Sequence, residues 1–88
     1  MVAGVFYVYV LQSLSCGCRY VGSTGDLEKR LIQHNEGLAC YTKGRRPWKL
    51  IYFEEYSTRS EAMRRERFLK SGRGREELNG KIPEIEIK

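Results

Sequence analysis

The run of residues 5–11 constrains the fold more than any other part of this chain. It reads Val-Phe-Tyr-Val-Tyr-Val-Leu, and such β-branched and aromatic residues favour a buried strand. Side chains alternate between the two faces of a strand, so Tyr7 and Tyr9 share one face and the other face is wholly apolar. A strand that is apolar on both sides is expected at the centre of a sheet, covered above and below. The two phenols on a covered face then each need a hydrogen-bond partner.

Turn and capping signals predict the other elements. Residues 12–18 are small and polar enough for a hairpin loop, in which Gly17 can take a positive φ. Thr24 and Asp26 are alternative caps for the first helix, and the Thr58–Glu61 pair is a capping box for the second. The predicted elements are strands at 5–11, 19–22 and 48–53 and helices at about 27–36, 58–70 and 75–79, the first helix ending at Gly37 and the last at Gly80. We expect one domain at 1–80 and a C-terminal tail at 81–88, for which an edge strand and a loose end remain open alternatives.

Composition narrows the class of protein. With 88 residues, 41% hydrophobic and 31% charged, the chain is typical of one small globular domain and not of a disordered segment. A net charge of +5 favours an anionic partner. No apolar run approaches the ~20 residues that span a bilayer, and the N-terminus lacks the features of a secretory signal. Cys16, Cys18 and Cys40 fit neither a zinc site nor a disulfide framework, so we expect free thiols in a cytoplasmic protein.

Glu66 is the most informative single residue of the second predicted helix. Helical geometry places it within the apolar stripe of Ala62, Met63 and Leu69. A carboxylate on a core-facing stripe is costly unless it gains a cation or hydrogen-bond donors. Pairing with Lys70 at i+4 and a position at the rim of the stripe are two ordinary explanations, and general burial statistics favour them for a lone glutamate.

Polar side chains on other elements also face inwards, and their combination is more informative than any one of them. Arg30 and His34 lie one turn apart, along the border of the apolar stripe of the first helix. Taken singly, Tyr7, Tyr9 and Tyr20 are explained as core aromatics, Arg30 as a surface ion pair and His34 as a contact to the helix end. Phosphodiester hydrolysis uses a base near water, a cation for the developing charge and a metal at the leaving oxygen. A single glutamate suits Mg²⁺, which keeps several of its waters.

The order of these motifs resembles that of the GIY-YIG endonucleases. Tyr7-Val8-Tyr9 is followed by Tyr20-Val21-Gly22, and the segments 30–34, 43–48 and 61–66 continue the match in order. The resemblance covers about residues 5–78 and is greatest to small single-domain bacterial members. The nuclease domain of a structure-specific endonuclease subunit that resolves branched DNA is similar too, especially around residues 44–48.

The resemblance implies an α+β fold, a three-stranded antiparallel sheet flanked by helices in the order β-β-α-β-α-α. It also implies divalent-metal-dependent hydrolysis of DNA, with Mg²⁺ or Mn²⁺ as cofactor. Carried over residue by residue, Tyr9 deprotonates or positions the attacking water, and Tyr20 orients that water or the phosphate. Arg30 neutralises the phosphate, His34 assists proton transfer and Glu66 holds the metal.

Three further positions bear on the resemblance. Gly22 allows close packing beside Tyr20, whereas Tyr7 replaces the glycine that opens the first motif, as in several relatives. Asn79 is an uncertain equivalent of an asparagine in the family and stays outside the expected catalytic set. A tyrosine with a pKa near ~10 is a poor base at neutral pH, so we expect a metal-bound water and Arg30 to favour its phenolate form.

The cations are clustered: eleven of the sixteen Lys and Arg residues lie in 43–49 and 59–75. Such clusters are typical of phosphate-contacting surfaces, although solvated helix faces account for about half of them. The residues predicted to contact DNA are Lys43, Arg45, Arg46, Arg64, Arg67, Lys70, Arg73 and Arg75. No segment resembles a base-reading helix, so selectivity is expected from branched or damaged DNA, in repair or recombination, or from a partner protein. The alternatives are a nucleic-acid-binding module with little activity and a protein-interaction domain.

Overall fold

A computed structural model of the chain describes residues 4–37 and 43–82, and its strands and helices follow the predicted order. The elements are β1 (Phe6–Ser13), β2 (Arg19–Thr24), α1 (Leu27–Asn35), a 3₁₀ turn (Lys43–Arg45), β3 (Trp48–Tyr56), α2 (Arg59–Leu69) and α3 (Gly72–Lys81). The α+β class and the β-β-α-β-α-α order are therefore confirmed. Within the described residues, no helix is both long and apolar enough to cross a membrane.

The sheet is antiparallel, and β1 lies at its centre between β2 and β3. Val8 and Val10, on one face of β1, are fully buried, as are Tyr9 and Leu11 on the other face. Tyr9 lies opposite Gly22 on β2 and Phe53 on β3. Burial on both faces is what the apolar run predicted for a central strand.

Each face of the sheet has its own core. On one face Val8 and Val10 pack with Ala62, Leu69 and Leu78 of α2 and α3. On the other face, Tyr9, Leu11 and Trp48 form the centre of a second cluster, and Tyr20, Leu27, Leu31 and Leu50 pack around it. The sheet therefore separates α1 from α2 and α3, so side chains from these helices reach one site only around an edge of the sheet.

Asn35 attaches the end of α1 to the start of β3. Its Nδ2 donates to the carbonyl of Trp48 at 3.1 Å, and its Oδ1 accepts from the Trp48 amide at 2.6 Å. At the other end of α1 the structure selects Asp26 as the cap, since its Oδ1 accepts from the amide of Lys29 at 3.0 Å. Both ends of the helix that carries Arg30 and His34 are thus fixed.

Glu54 and Arg65 connect the sheet to both C-terminal helices through a network that the sequence did not reveal. Glu54 accepts from Arg65 Nε at 2.9 Å and from the hydroxyls of Tyr52 and Tyr56 at 2.5 and 2.6 Å. Arg65 also pairs with Glu77 of α3. Burial alone would raise the pKa of Glu54, but these hydrogen bonds lower it to about 2.

The last helix is longer than predicted at both ends. Gly72 and Gly74 lie in the predicted gap between the second and third helices, but they form the first turn of α3. Ser71 caps this turn, and its Oγ accepts from the Gly74 amide at 3.2 Å. Gly80 lies within the helix, and Ile82 beyond it is buried in the core. The extra turn follows from the Ser71 cap and from tight packing against α2. Residues 83–88 lie outside the described residues, so both alternatives for the tail stay open.

Two glycines of α3 provide a matched test of this packing. A Cβ at Gly74 would lie 2.0 Å from the Phe68 carbonyl oxygen and 2.4 Å from Leu69 Cα, whereas a Cβ at Gly80 has no neighbour within 4 Å. We expect Gly74→Ala to lower the free energy of unfolding by about 2 kcal/mol or more, because backbone must move. Gly80→Ala is expected to raise it by about 0.5 kcal/mol, through its higher helix propensity. Urea unfolding followed by Trp48 fluorescence measures both, and equal effects of the two variants would contradict this packing.

Candidate active site

Tyr9 on β1 and His34 on α1 form a buried hydrogen-bonded pair. Tyr9 Oη lies 3.0 Å from His34 Nε2, and the two residues are only 1% and 0% exposed. The imidazole tautomer sets the direction of this bond. His34 is thus a partner for the Tyr9 phenol, which the sequence indicated must have one.

Burial keeps both members of the pair uncharged at neutral pH. It raises the pKa of Tyr9 to about 12, and the opposing contact with Arg30 is the smaller effect. Burial, together with the charge of Arg30, lowers the pKa of His34 to about 4. The expectation that Arg30 favours the phenolate of Tyr9 is therefore right in direction, but burial outweighs it.

Tyr20 and Gly22 complete the group on the α1 face of the sheet. The Tyr20 ring centroid lies 5.0 Å from that of His34 and 6.3 Å from that of Tyr9. Gly22 lies against both phenols: a Cβ there would be 2.5 Å from Tyr9 Oη and 3.1 Å from Tyr20 Cε2. Any larger residue would displace at least one of the two tyrosines.

Arg30 lies one turn before His34 on α1 and faces the same group. The neighbouring Tyr9 phenol raises the pKa of Arg30, and Arg30 Nη1 donates to Gln33 Oε1 at 3.0 Å. Arg30 lines a polar cavity of about 340 Å³ that Ser23 and Arg59 also line. A cationic cavity beside a phenol–imidazole pair is suited to an oxyanion such as a phosphate.

Glu66 approaches from α2 on the opposite face and is fixed next to the second tyrosine motif. Ser23 Oγ donates to Glu66 Oε1 at 2.7 Å, and Lys70 Nζ lies 2.8 Å from Oε2. The Lys70 ammonium is 5.9 Å from the centre of the Tyr20 ring, and the charge of Glu66 contributes to the raised pKa of Tyr9. The two groups therefore meet around β2, which is an edge strand.

Both ordinary explanations of Glu66 hold. Glu66 pairs with Lys70, and its side chain is 22% exposed at the rim of the apolar stripe of α2. Sequence reasoning missed Ser23. Side-chain alternation along the strand could have identified it: Ser23 follows Gly22 directly and therefore points to the opposite face of β2, where α2 lies.

The donor set around Glu66 fits a hard, mostly hydrated cation. Among residues 4–37 and 43–82, no three His, Cys, Asp or Glu side chains are grouped as metal ligands. Mg²⁺ and Mn²⁺ favour oxygen ligands, and Mg²⁺ is commonly held through one or two carboxylates and several waters. Glu66 lines a cavity of about 170 Å³ with Met63, Arg67 and Lys70. A cation there would replace Lys70 at Oε2.

Three of the cations predicted to contact DNA lie around Tyr20 and Glu66. Lys70 and Arg75 line a cavity of about 520 Å³ to which Tyr20 contributes, and Arg67 lies beside Glu66. In the same cavity Asn79 Oδ1 accepts from Arg19 Nη1 at 2.9 Å. Asn79, which the sequence analysis left outside the expected catalytic set, thus borders the cavity next to Tyr20.

The other predicted contacts are more dispersed. Arg64 lines a separate cavity with Tyr56 and Phe68, and Arg73 is exposed in the first turn of α3. Arg46 Nε donates to the carbonyl of Lys43 at 2.8 Å. Arg45, in the same turn, accepts through its carbonyl from Ser13 Oγ at 2.7 Å. Tyr7 packs edge-to-face on Phe53, with 6.0 Å between ring centroids.

The low pKa of His34 predicts how stability depends on pH. The unfolded chain binds a proton at His34 below its ordinary pKa of 6.5, whereas the folded chain does so only below about 4. The free energy of unfolding should therefore fall by about 2 kcal/mol between about pH 7 and pH 5. His34 is the one histidine of the chain, so His34→Gln should remove most of this slope. Urea unfolding at each pH measures it, and equal slopes in the two proteins would contradict a buried neutral imidazole.

Comparison with known proteins shows the family of the chain. The family model of the GIY-YIG catalytic domain matches residues 5–79. The chain is 46% identical over 66 residues to UPF0213 protein SSP2268 of Staphylococcus saprophyticus, covering 74% of this chain and 79% of that relative. UPF0213 protein HQ_3675A of Haloquadratum walsbyi is also 46% identical over 66 residues, covering 74% and 73%. The solution NMR structure of UPF0213 protein BH0048 from Bacillus halodurans is similar with a TM-score of 0.54 and 37% identity, covering 86% of this chain and 83% of that one. The chain therefore belongs to the GIY-YIG nuclease family and is similar to its small single-domain UPF0213 members.

Proposed function

We propose that this protein is a divalent-metal-dependent endonuclease that hydrolyses DNA phosphodiester bonds at the site around β2. The observation that carries the proposal is the buried Tyr9–His34 hydrogen bond, which lies next to Arg30 and Tyr20. A neutral phenol joined to a neutral imidazole is a path for a proton, and the adjacent guanidinium is a site for a phosphate.

Tyr9 and His34 act as a relay for the proton of the attacking water. In the tautomer protonated at Nδ1, His34 Nε2 accepts the phenolic proton of Tyr9 while Tyr9 Oη takes a proton from the water. The pKa of about 4 makes His34 a weak base in the free protein. A phosphate bound at Arg30 offsets the positive charge that contributes to that low pKa, so substrate binding makes His34 more basic.

Arg30 stabilises the charge that develops on the phosphorane, and Lys29 and Arg59 line the same polar cavity as two further cations. Tyr20, beside His34, orients the water or the phosphate. Because Gly22 lets the two phenols approach each other, both tyrosines contact the same reacting group.

Glu66 holds the metal, Mg²⁺ or Mn²⁺, which when bound stabilises charge on the leaving oxygen. Ser23 keeps Oε1 in a fixed position through its 2.7 Å hydrogen bond. Lys70, which pairs with Oε2, would contact a DNA phosphate when Glu66 holds a cation.

DNA follows the cations that surround the site. Arg67, Lys70 and Arg75 contact the strand near Tyr20 and Glu66, and Lys43, Arg45, Arg46, Arg64 and Arg73 are the further proposed phosphate contacts. Affinity then falls steeply with salt. We propose branched or damaged DNA as substrate, a role in repair or recombination in the cytoplasm, and a partner protein that selects the site.

One observation favours a second candidate function, a nucleic-acid-binding module with little activity. Lys70 pairs with the carboxylate of Glu66, and burial raises the pKa of Tyr9 to about 12, which disfavours both metal binding and the phenolate form. Cleavage of single-stranded, duplex and branched DNA with Mg²⁺ or Mn²⁺, compared with EDTA, separates the two. Salt-sensitive binding without cutting under every condition would favour the module.

Removing the metal ligand or the relay hydroxyl should abolish cutting. We expect Glu66→Gln and Tyr9→Phe each to lower the cleavage rate by about 100-fold or more, because each removes one step of the proposed chemistry. Glu76→Gln, at an exposed carboxylate of α3, is the control and should keep the wild-type rate. Full metal-dependent activity in either test variant would refute the role assigned to that residue.

The close approach of the phenols predicts a contrast between two glycines. Gly22→Ala places a methyl group 2.5 Å from Tyr9 Oη, whereas the nearest neighbour of a Cβ at Gly25 is Phe6 Cε1 at an ordinary 3.5 Å. We expect Gly22→Ala to lower the cleavage rate by about 10-fold or more through misplaced tyrosines, and Gly25→Ala to change it little. Circular dichroism confirms that both variants fold. Equal rates in the two variants would show that the spacing of the tyrosines does not matter.

A further inference from the structure

Cys16 and Cys18 lie side by side at the tip of the hairpin between β1 and β2. Both are exposed free thiols, and their Sγ atoms are 2.7 Å apart. Gly17 between them has a φ of 78°, a conformation that costs glycine little and that turns both cysteines to the same side. The proposed hydrolysis uses neither thiol.

Hydrogen bonds hold this turn in one shape. The Ser13 amide donates to the Cys18 carbonyl at 2.8 Å, and the Gly17 amide donates to the Ser13 carbonyl at 2.9 Å. Ser13 Oγ accepts from the Cys16 amide at 3.0 Å and donates to the Arg45 carbonyl at 2.7 Å. Little further ordering is therefore needed to bring the two sulfurs into bonding distance.

The two thiols are chemically unequal. Hydrogen bonding with Cys18, then with Ser13, and the charge of Arg45 lower the pKa of Cys16 to about 7. Hydrogen bonding to Cys16 raises the pKa of Cys18. Among residues 4–37 and 43–82, Cys18 on the same turn and Arg45 on the 3₁₀ turn are the titratable and charged groups that shift the pKa of Cys16. A thiolate flanked by a cation and a second thiol is the arrangement of reactive cysteines.

We propose that Cys16 and Cys18 are a reactive dithiol that exchanges with low-molecular-weight disulfides and closes to an intramolecular disulfide. The Cys16 thiolate attacks one sulfur of glutathione disulfide, forming a mixed disulfide and releasing one glutathione thiolate. Cys18 then loses its proton to solvent and attacks Cys16 Sγ, which releases the second glutathione. Two protein thiols are oxidised by two electrons, and one glutathione disulfide is reduced to two glutathiones.

The experiment uses the full chain with Cys40→Ser, which removes the third thiol. The reduced protein is incubated with glutathione disulfide and analysed by intact-mass spectrometry and iodoacetamide labelling. We expect a monomer lighter by two hydrogen atoms, closed to alkylation and restored by dithiothreitol. A stable glutathione adduct, a disulfide-linked dimer or two alkylated thiols would each overturn the proposal.

Single variants test the assigned order of attack. In the same background, Cys18→Ser should stop at a stable glutathione adduct on Cys16, and Cys16→Ser should react more slowly because it lacks the activated thiol. Arg45→Gln should raise the pH midpoint of Cys16 alkylation, whereas Lys43→Gln should not. Equal rates for the two cysteine variants would overturn the assignment of Cys16 as the attacking thiol. These readouts contain no DNA, so their outcome is independent of the proposed nuclease activity.

Discussion

The hydrogen bond between Tyr9 and His34 is the interaction on which both the fold and the site depend. It joins the central strand to α1 in the core of one face of the sheet, where both residues are almost fully buried. A buried phenol or imidazole without a partner would be strongly unfavourable, and here each residue supplies the partner of the other. The same burial that makes the bond structurally necessary keeps both groups neutral, which is the state that a proton relay needs.

The sheet has a second consequence for the chemistry. The α1 face carries Tyr9, Tyr20, Arg30 and His34, while Glu66 comes from α2 on the other face. They are brought together only at β2, where Gly22 faces the phenols and Ser23, one residue later, faces the glutamate. Side-chain alternation along this one edge strand therefore places the proposed proton relay and the carboxylate of Glu66 at the same strand. The ion pair of Glu66 with Lys70 keeps that carboxylate satisfied in the free protein.

The sequence was sufficient for the element order and the central position of β1, because these follow from alternation, capping and the apolar run. The three-stranded antiparallel fold followed from the family resemblance. The sequence also indicated that Glu66 lies on an apolar stripe. It did not reveal the partner of Arg65, since Glu54 lies on another element and only the packed fold brings them together. Similarly, the glycines at 72, 74 and 80 read as helix breakers, but the close contact of Gly74 with α2 makes glycine necessary there. The raised pKa of Tyr9 depends on how deeply the phenol is buried, and a local sequence pattern does not predict that depth.

The central claim is that Glu66 holds a divalent cation beside the Tyr9–His34 pair. The most direct measurement is a titration of ¹⁵N-labelled protein with Mn²⁺ followed by paramagnetic broadening of amide resonances. We expect broadening centred on Glu66, Lys70, Gly22 and Ser23, and its loss in Glu66→Gln. Broadening centred on another part of the chain, or unchanged by Glu66→Gln, would contradict it.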